Sequence, residues 1–151
     1  MINDIAVANG LAFSPDGRTL YAADSPRRSV QAYDLDPISG AVSNPRAFVS
    51  LAPGDGHIDG ATVDAEGGYW LAVVGVGELR RYHRDGRLDR AVGLPCSNPT
   101  KAAFGGETFA TLFVTSTKLT INPHADASKN GAVFSFEPGE RGVPDALFAS
   151  N

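Results

Sequence analysis

Apolar residues along this chain gather in short runs broken by Gly, Pro, Asp and Asn, and no segment carries the 3.6-residue apolar stripe of an amphipathic helix. The pattern predicts strands and turns, hence an all-β fold. The first run, Leu11-Ala12-Phe13, meets the turn Ser14-Pro15-Asp16-Gly17 and resumes as Thr19-Leu20-Tyr21-Ala22-Ala23-Asp24, which reads as a hairpin. Further strands are predicted over Val30 to Leu35 and Arg46 to Leu51. The second run opens at Asp59-Gly60-Ala61-Thr62-Val63, turns through Asp64-Ala65-Glu66-Gly67-Gly68 and continues over Tyr69 to Val74, Glu78 to His83 and Leu88 to Leu94. The third covers Thr100 to Phe104, turns at Gly105-Gly106-Glu107 and resumes over Thr111 to Ser116. A looser stretch from Lys118 to Asn130 then leads to a strand over Gly131 to Phe136.

Overlaying the three runs matches Asn9, Asp59 and Thr100 at offsets of about 50 and 41 residues, the signature of a structural repeat. Short strands at this spacing mark the blades of a β-propeller, here about three, over 5–52, 53–96 and 97–148. Propeller blades turn their inner strands toward a common channel, so residues that open equivalent inner strands should converge there. Asn9 and Asp59 are on this ground the expected site of chemistry. Trp70, Phe104 and Phe113 fall in inner-strand runs and are expected in the blade core. A ring takes about four blades or more to close, so three alone are expected to leave sheet edges and apolar faces open, with self-association through those edges.

Composition narrows the function. With 42% hydrophobic and 20% charged residues the 151-residue chain has the make-up of a soluble globular protein. A formal net charge of -4, with 13 scattered Lys and Arg, gives no footprint for nucleic acid. The doublets Arg27-Arg28 and Arg80-Arg81 read as solvated strand edges or loops. No run approaches the roughly 20 apolar residues that span a bilayer, and Met1-Ile2-Asn3-Asp4 lacks the basic-then-apolar pattern of a signal peptide. The expectation is therefore no membrane partner and a cytoplasmic location. Cys96 is alone and offers neither a disulfide nor a thiolate metal site.

Other polar groups have local explanations. Asp16, Asp64, Glu66 and Asp85 occupy hairpin turns, where Asp and Gly satisfy backbone geometry. Asp34 and Asp36 form a D-x-D without the loop ending in Glu that an EF-hand needs. Asp24 closes a strand near the blade rim, as a loop anchor or as support for the site. His83 and His124 have no ligand spacing with each other or with Cys96, and Gly75-Val76-Gly77 lacks the rest of a dinucleotide fingerprint. Two candidates for substrate contact are kept: His57, two residues before Asp59 and so on its side of an extended segment, and Thr100 at the third equivalent position.

Three strings carry a resemblance: Asn9-Gly10-Leu11-Ala12-Phe13-Ser14-Pro15-Asp16-Gly17, Asp59-Gly60 followed by Val63-Asp64-Ala65-Glu66-Gly67, and Phe104-Gly105-Gly106 followed by Leu112-Phe113-Val114-Thr115-Ser116. Together they resemble the gluconolactonase, senescence marker protein and regucalcin family, from about Ile5 to Phe148. The resemblance is expected to lie in the C-terminal half of the family pattern only, with the N-terminal half absent. It implies a six-bladed propeller that holds one divalent cation and hydrolyses sugar lactones. By the same resemblance Asn9 and Asp59 match two of the metal ligands, and Asp59 matches the catalytic carboxylate. The family's third ligand, an early Glu, and its early substrate-binding Arg and Asn have no counterpart here. Ile58 stands where the family usually has Pro, which removes a fixed φ before Asp59. Val73 and Val74 stand where relatives often carry an aromatic residue in the site wall.

An Asn carbonyl with an Asp carboxylate is a hard oxygen donor set that suits Ca²⁺, Mg²⁺ or Mn²⁺ and admits Zn²⁺. The expected function is thus a divalent-metal-dependent sugar lactone hydrolase, a carboxylic-ester hydrolase of carbohydrate metabolism acting on a small aldonolactone. The alternative is a non-catalytic metal-binding or interaction fragment of a propeller, inactive alone.

Overall fold

The computed structural model describes residues 2–122 and 127–144. His124 and the end of the third expected unit, near 148, lie outside the described residues. Eleven strands and no helix are found among them, arranged as three antiparallel sheets. The first sheet is β1 (Ala8–Phe13), β2 (Thr19–Asp24), β3 (Ser29–Leu35) and β4 (Val42–Ser50) in that spatial order. The second is β5 (His57–Val63), β6 (Tyr69–Val74), β7 (Glu78–Tyr82) and β8 (Leu88–Gly93). The third holds β9 (Pro99–Gly105), β10 (Thr111–Ser116) and β11 (Val133–Phe136).

Local chemistry explains the first hairpin. Asp16 Oδ1 accepts from the Arg18 amide at 3.0 Å, Ser14 N–H donates to Thr19 C=O at 2.9 Å, and Gly17 takes the left-handed φ of 68° that the turn needs. The corresponding turn of the second sheet is one residue shorter, closing from Asp64 to Gly68. That difference moves β6 by one residue against β2, so Tyr21 and Trp70, not Tyr21 and Leu71, turn the same way.

The sheets stack face to face. Tyr21, Ala23 and Val30 of the first sheet pack against Ile58, Tyr69, Leu71 and Val73 of the second, while Trp70, Ala72 and Leu79 on the second sheet's other face pack against Ala102, Leu112 and Val114 of the third. Every residue of β6 is buried, because both of its faces are covered. Tyr21, Phe48 and Tyr69 form a ring cluster in the first interface, with centroids 4.7 to 5.5 Å apart. Residues of the final described segment return to the second sheet: Ala65 N–H donates to Arg141 C=O at 2.7 Å and Asp64 bridges Gly142. Among the described residues the stack is open and does not close into a ring.

Four expectations are corrected. Phe113 is not core: it is 42% exposed, because it lies on the side of the third sheet that no other sheet covers. Arg81 is no solvated doublet member but is buried, with Nε 2.8 Å from Asp64 and Nη1 3.1 Å from Asp89. Burial works against its charge, yet its pKa lies above the ordinary value because the Asp64 hydrogen bond and charge, together with Asp89 and Glu140, favour the cation. Asp64 is more than a turn residue: it is fully buried and accepts from the amides of Glu66 and Gly68, from Trp70 Nε1 and from Arg81. Val73 packs in the core between the first two sheets and forms no site wall.

Candidate functional site

The inner strands β1, β5 and β9 lie side by side at the centre of the stack, and each is interrupted near the expected site residue. The register of β1 on β2 shifts between Asn9 and Ala12, that of β5 on β6 between Ile58 and Ala61, and that of β9 on β10 between Thr115 and Ser116, where Thr100 stands opposite. An extra residue in one strand re-aims the side chain beside it, which is why bulges recur at functional positions. The three repeats thus each carry a register irregularity, directly after Asn9 in the first and spanning Asp59 and Thr100 in the second and third.

Gly10 sets the closeness of the first two positions. Its φ is 57°, and a Cβ there would fall 2.5 Å from Tyr69 Oη, 2.8 Å from Ala23 Cβ and 3.6 Å from the Asp59 carbonyl oxygen. Tyr69 Oη in turn donates to Gly10 C=O at 2.7 Å. Gly60 does the same for the next step, its absent Cβ leaving room for Thr100 C=O at 2.7 Å and Lys101 Cβ at 2.9 Å. The third repeat has Lys101 where the others have glycine, and its Nζ donates to Ala61 C=O at 3.0 Å. A cleft of about 510 Å³ runs between the inner strands, past Leu11, Phe13, Ala61, Val63, Lys101 and Phe104; Asn9, Asp59, His57 and Thr100 are not among its lining residues.

Asn9 is half-buried and its amide nitrogen donates to Ser25 Oγ at 2.9 Å, while Ser25 Oγ donates to Ile58 C=O at 2.7 Å. This relay fixes the Asn9 side chain and ties the first sheet to the residue before Asp59. With its nitrogen so engaged, the Asn9 carbonyl oxygen is left as an acceptor. Ser25 was not among the sequence candidates; the signal for it is a hydroxyl residue directly after the strand that pairs with Asn9. Ile58 is buried in the core, so packing and the Ser25 bond hold the approach to Asp59 in place of the φ that a Pro would fix.

Asp59 is half-buried and has no ion pair among the described residues. Burial raises its carboxyl above the usual carboxylate range, and the Gly60 backbone hydrogen bond only partly opposes this. His57 is exposed at the start of β5, on the same side as Asp59 because the buried Ile58 between them points the other way. The Thr100 hydroxyl is engaged 2.8 Å from that of Thr115. Asp24 is a loop anchor, accepting from the amides of Ala6 and Val7. The Cys96 thiol is buried, which pushes its pKa up.

As to a metal, Asn9 and Asp59 supply two hard oxygens, and the half-buried, unpaired carboxylate is a group whose charge a cation would offset. No group of three or more His, Cys, Asp or Glu is assembled among the described residues. The donor set therefore fits part of a hard-cation shell, completed by water or by groups other than these.

Residues 1–118 match the model of the SMP-30/gluconolactonase/LRE-like region. The chain belongs to this family. It is 36% identical to 6-deoxy-6-sulfogluconolactonase of Pseudomonas putida, over 99% of this chain and 52% of that protein. With L-arabinolactonase of Azospirillum brasilense it shares 37% identity over 95% of this chain and 48% of the relative. The solved regucalcin of Agrobacterium tumefaciens, a calcium-binding protein, superposes with a TM-score of 0.88 at 30% identity, covering 97% of this chain and 51% of that one. The chain spans about half the length of the relatives it matches. These alignments correct the expectation of a likeness to a C-terminal half only: family membership extends along 95 to 99% of this chain in these three comparisons.

Proposed function

We propose that this chain carries the reacting centre of a sugar-lactone hydrolase of β-propeller type, built on Asp59 with Asn9 beside it. The observation that carries the reading is Asp59 itself: a half-buried carboxylate without an ion pair among the described residues, on an interrupted inner strand next to the Asn9-Gly10 step. Lactonases among the relatives support a lactone as the substrate class.

Hydrolysis of a lactone requires water to add to the ring carbonyl, the ring C–O bond to break, and the departing alkoxide to take up a proton. Asp59 serves as the general base that removes the proton from the attacking water. Its raised proton affinity suits that task, since a base works best when its pKa approaches the working pH. Asn9, fixed through Ser25, orients the oxygen-rich substrate or a cation through its carbonyl oxygen. Asn9 and Asp59 would hold one divalent cation of the Ca²⁺, Mg²⁺, Mn²⁺ or Zn²⁺ class. When bound, it supplies polarisation of the lactone carbonyl. His57 and Thr100 border the same end of the inner strands as candidate substrate contacts.

The test is acid release from an aldonolactone, followed in a pH-stat with each cation added in turn. Turnover abolished by Asp59→Asn supports the proposal, and an absence of turnover with every cation refutes the enzymatic part. The second reading, a metal-binding module without catalysis, is favoured by the presence of only two matched oxygen donors. Calorimetric binding of Ca²⁺ that Asp59→Ala weakens, with no lactone opened, would establish it instead.

A further inference from the structure

The turns after β1 and β5 are built alike, so the two inter-sheet interfaces can be compared position by position. Gly17 N–H donates to Ser14 C=O as Gly67 N–H donates to Asp64 C=O, each at 2.9 Å, which puts Ser14 where Asp64 stands. Tyr21 holds the place of Trp70, and the cross-strand partners follow: Tyr21 pairs with Ala32 and Trp70 with Arg81, then Ala32 with Arg46 and Arg81 with Arg90. Between the second and third sheets these positions close on themselves. Asp64 accepts from the Trp70 indole and the Arg81 guanidinium, Arg90 lies 5.0 Å from the centroid of the Trp70 ring, and Glu140 approaches both arginines. Between the first and second sheets the ion pair is gone, because Ser14 replaces the carboxylate and Ala32 the guanidinium.

The space that the pair fills at one interface is a cavity of about 280 Å³ at the other, with Ser14, Tyr21, Ala32, Arg46, Phe48 and Arg84 in its wall. Tyr21 is 3% exposed, yet its hydroxyl has no hydrogen-bond partner among the described residues. Arg84 is set in place: it lies across Gly67, where a Cβ would fall 2.1 Å from its Nε, and that Nε donates to Glu66 C=O at 2.7 Å. Its two Nη groups have no ion pair among the described residues. Arg46 is held through Nη1, 2.7 Å from Asp34 Oδ1, which leaves Nη2 to spare. The Asp16 and Asp85 carboxylates also border the cavity but are engaged in their own turns, by Ser14 and the Arg18 amide and by the Arg87 amide. Burial pushes the pKa of the Tyr21 hydroxyl up, and the charges of Arg46 and Arg84 each pull it down more than Asp16 restores. Both guanidinium groups are therefore felt at the hydroxyl, and the field there is positive.

We propose that this cavity binds a small organic carboxylate, its charged group between Arg84, Arg46 and the Tyr21 hydroxyl. Planar guanidinium groups pair with a carboxylate through parallel N–H bonds, and the phenol donates a further one. The ligand supplies from outside what Asp64 supplies internally at the neighbouring interface. The volume lies at the small end of ligand pockets and suits an acid of a few carbons, with the Tyr21 ring, Ala32 and Phe48 as the wall for its carbon chain. The site lies at the turn end of the inner strands, away from Asp59, and does not rest on lactone chemistry.

Calorimetric titration with glycerate in buffer free of divalent cations tests this, with glycerol and inorganic phosphate as comparison probes. The expected result is saturable binding of glycerate, no binding of glycerol and weaker binding of phosphate. Arg84→Gln, at an exposed position, is expected to weaken glycerate binding by about 10- to 100-fold. Tyr21→Phe removes only the unpartnered hydroxyl and is expected to weaken it by about 2- to 10-fold, with no loss of thermal stability. Ser14→Asp places a carboxylate where Asp64 stands in the next repeat. It should abolish glycerate binding and raise the melting temperature, because the two guanidinium groups gain an internal partner. Should Ser14→Asp fail to fold, Arg84→Gln and Tyr21→Phe decide. No saturable binding of glycerate overturns the proposal, and so does phosphate binding of equal strength. Glycerate binding that is unchanged in Arg84→Gln lies elsewhere and overturns it equally. The readout is independent of any lactone turnover.

Discussion

Asp59 and Asp64 stand at the two ends of one inner strand, and their surroundings could hardly differ more. Asp64 is fully buried, with two turn amides, the Trp70 indole and the Arg81 guanidinium donating to it. Asp59 is half-buried, has no ion pair among the described residues and the Gly60 amide against it, and its pKa is raised by burial. A carboxylate whose acceptor sites are filled by its own fold is structural; one left in a partly dry site without a countercharge costs stability and is available to something else. The contrast separates the residue that ties the turn and strands of the second sheet together from the residue that is free to act.

The largest effect is expected at the satisfied end. Asp64→Ala strands Arg81, the Trp70 N–H and two amides in the interior, and breaking such a buried pair from one side costs about 3–5 kcal/mol. Urea unfolding followed by tryptophan fluorescence measures it, because Trp70 reports on this interface. A loss no larger than that of a surface substitution would mean that Glu66, Asp89 and Glu140 alone can hold Arg81.

Asp59→Asn is expected to do the reverse: no loss of stability, and a fall in lactone turnover of about 10²- to 10⁴-fold, the usual contribution of a general base. The sign of the pH dependence follows from the raised pKa. Between the unfolded value of 3.8 and the higher folded one, the folded chain binds more protons than the unfolded chain, so stability falls as pH rises through that window. Asn cannot titrate. The variant should therefore be the more stable protein at neutral pH, with the difference vanishing below the unfolded pKa, as thermal unfolding across pH would reveal.

Much of the comparison was legible beforehand, though not evenly. The β2, β6 and β10 strands match the expected apolar runs to the residue, and the repeat offsets bring Asn9, Asp59 and Thr100 to a register irregularity in each inner strand. What sequence could not give is satisfaction. Asp64 sits in a D-A-E-G-G turn and reads as turn chemistry, because its partner Arg81 is two strands away in the chain. Arg81 reads as solvated for the same reason. Phe113 reads as core since its residue type is correct for a core, and only the place of its sheet at the end of the stack exposes it. Local pattern encodes strands; whether a polar group is paired or a face covered depends on contacts that pattern does not record.

A smaller effect tests how the site is drawn together. Gly10→Ala places a methyl group 2.5 Å from Tyr69 Oη on a left-handed residue, where an L side chain alone costs about 1–2 kcal/mol. The expected result is a destabilisation above that range with loss of the Tyr69-to-Gly10 bond, visible in tyrosine hydrogen exchange. Gly17→Ala, at a comparable φ of 68° with open space around it, is the control that isolates the overlap from the backbone term.

Ser25→Ala is the smallest and most specific change. It removes the acceptor of the Asn9 amide and the donor to Ile58 C=O, each a part-buried bond of about 0.5–1.5 kcal/mol net. Because Asn9 and Ser25 are only half-buried, water can replace part of what is lost, and the stability change should stay near the lower end. Positioning is a different matter: an outer residue that orients a ligand typically alters cation affinity by about 10- to 100-fold. Calorimetry with Ca²⁺ should show that weakening, and Ser25→Thr, which keeps the hydroxyl, should restore it. An equal loss of affinity in both variants would mean that Ser25 acts through packing and that Asn9 is aimed by the bulge in β1 alone.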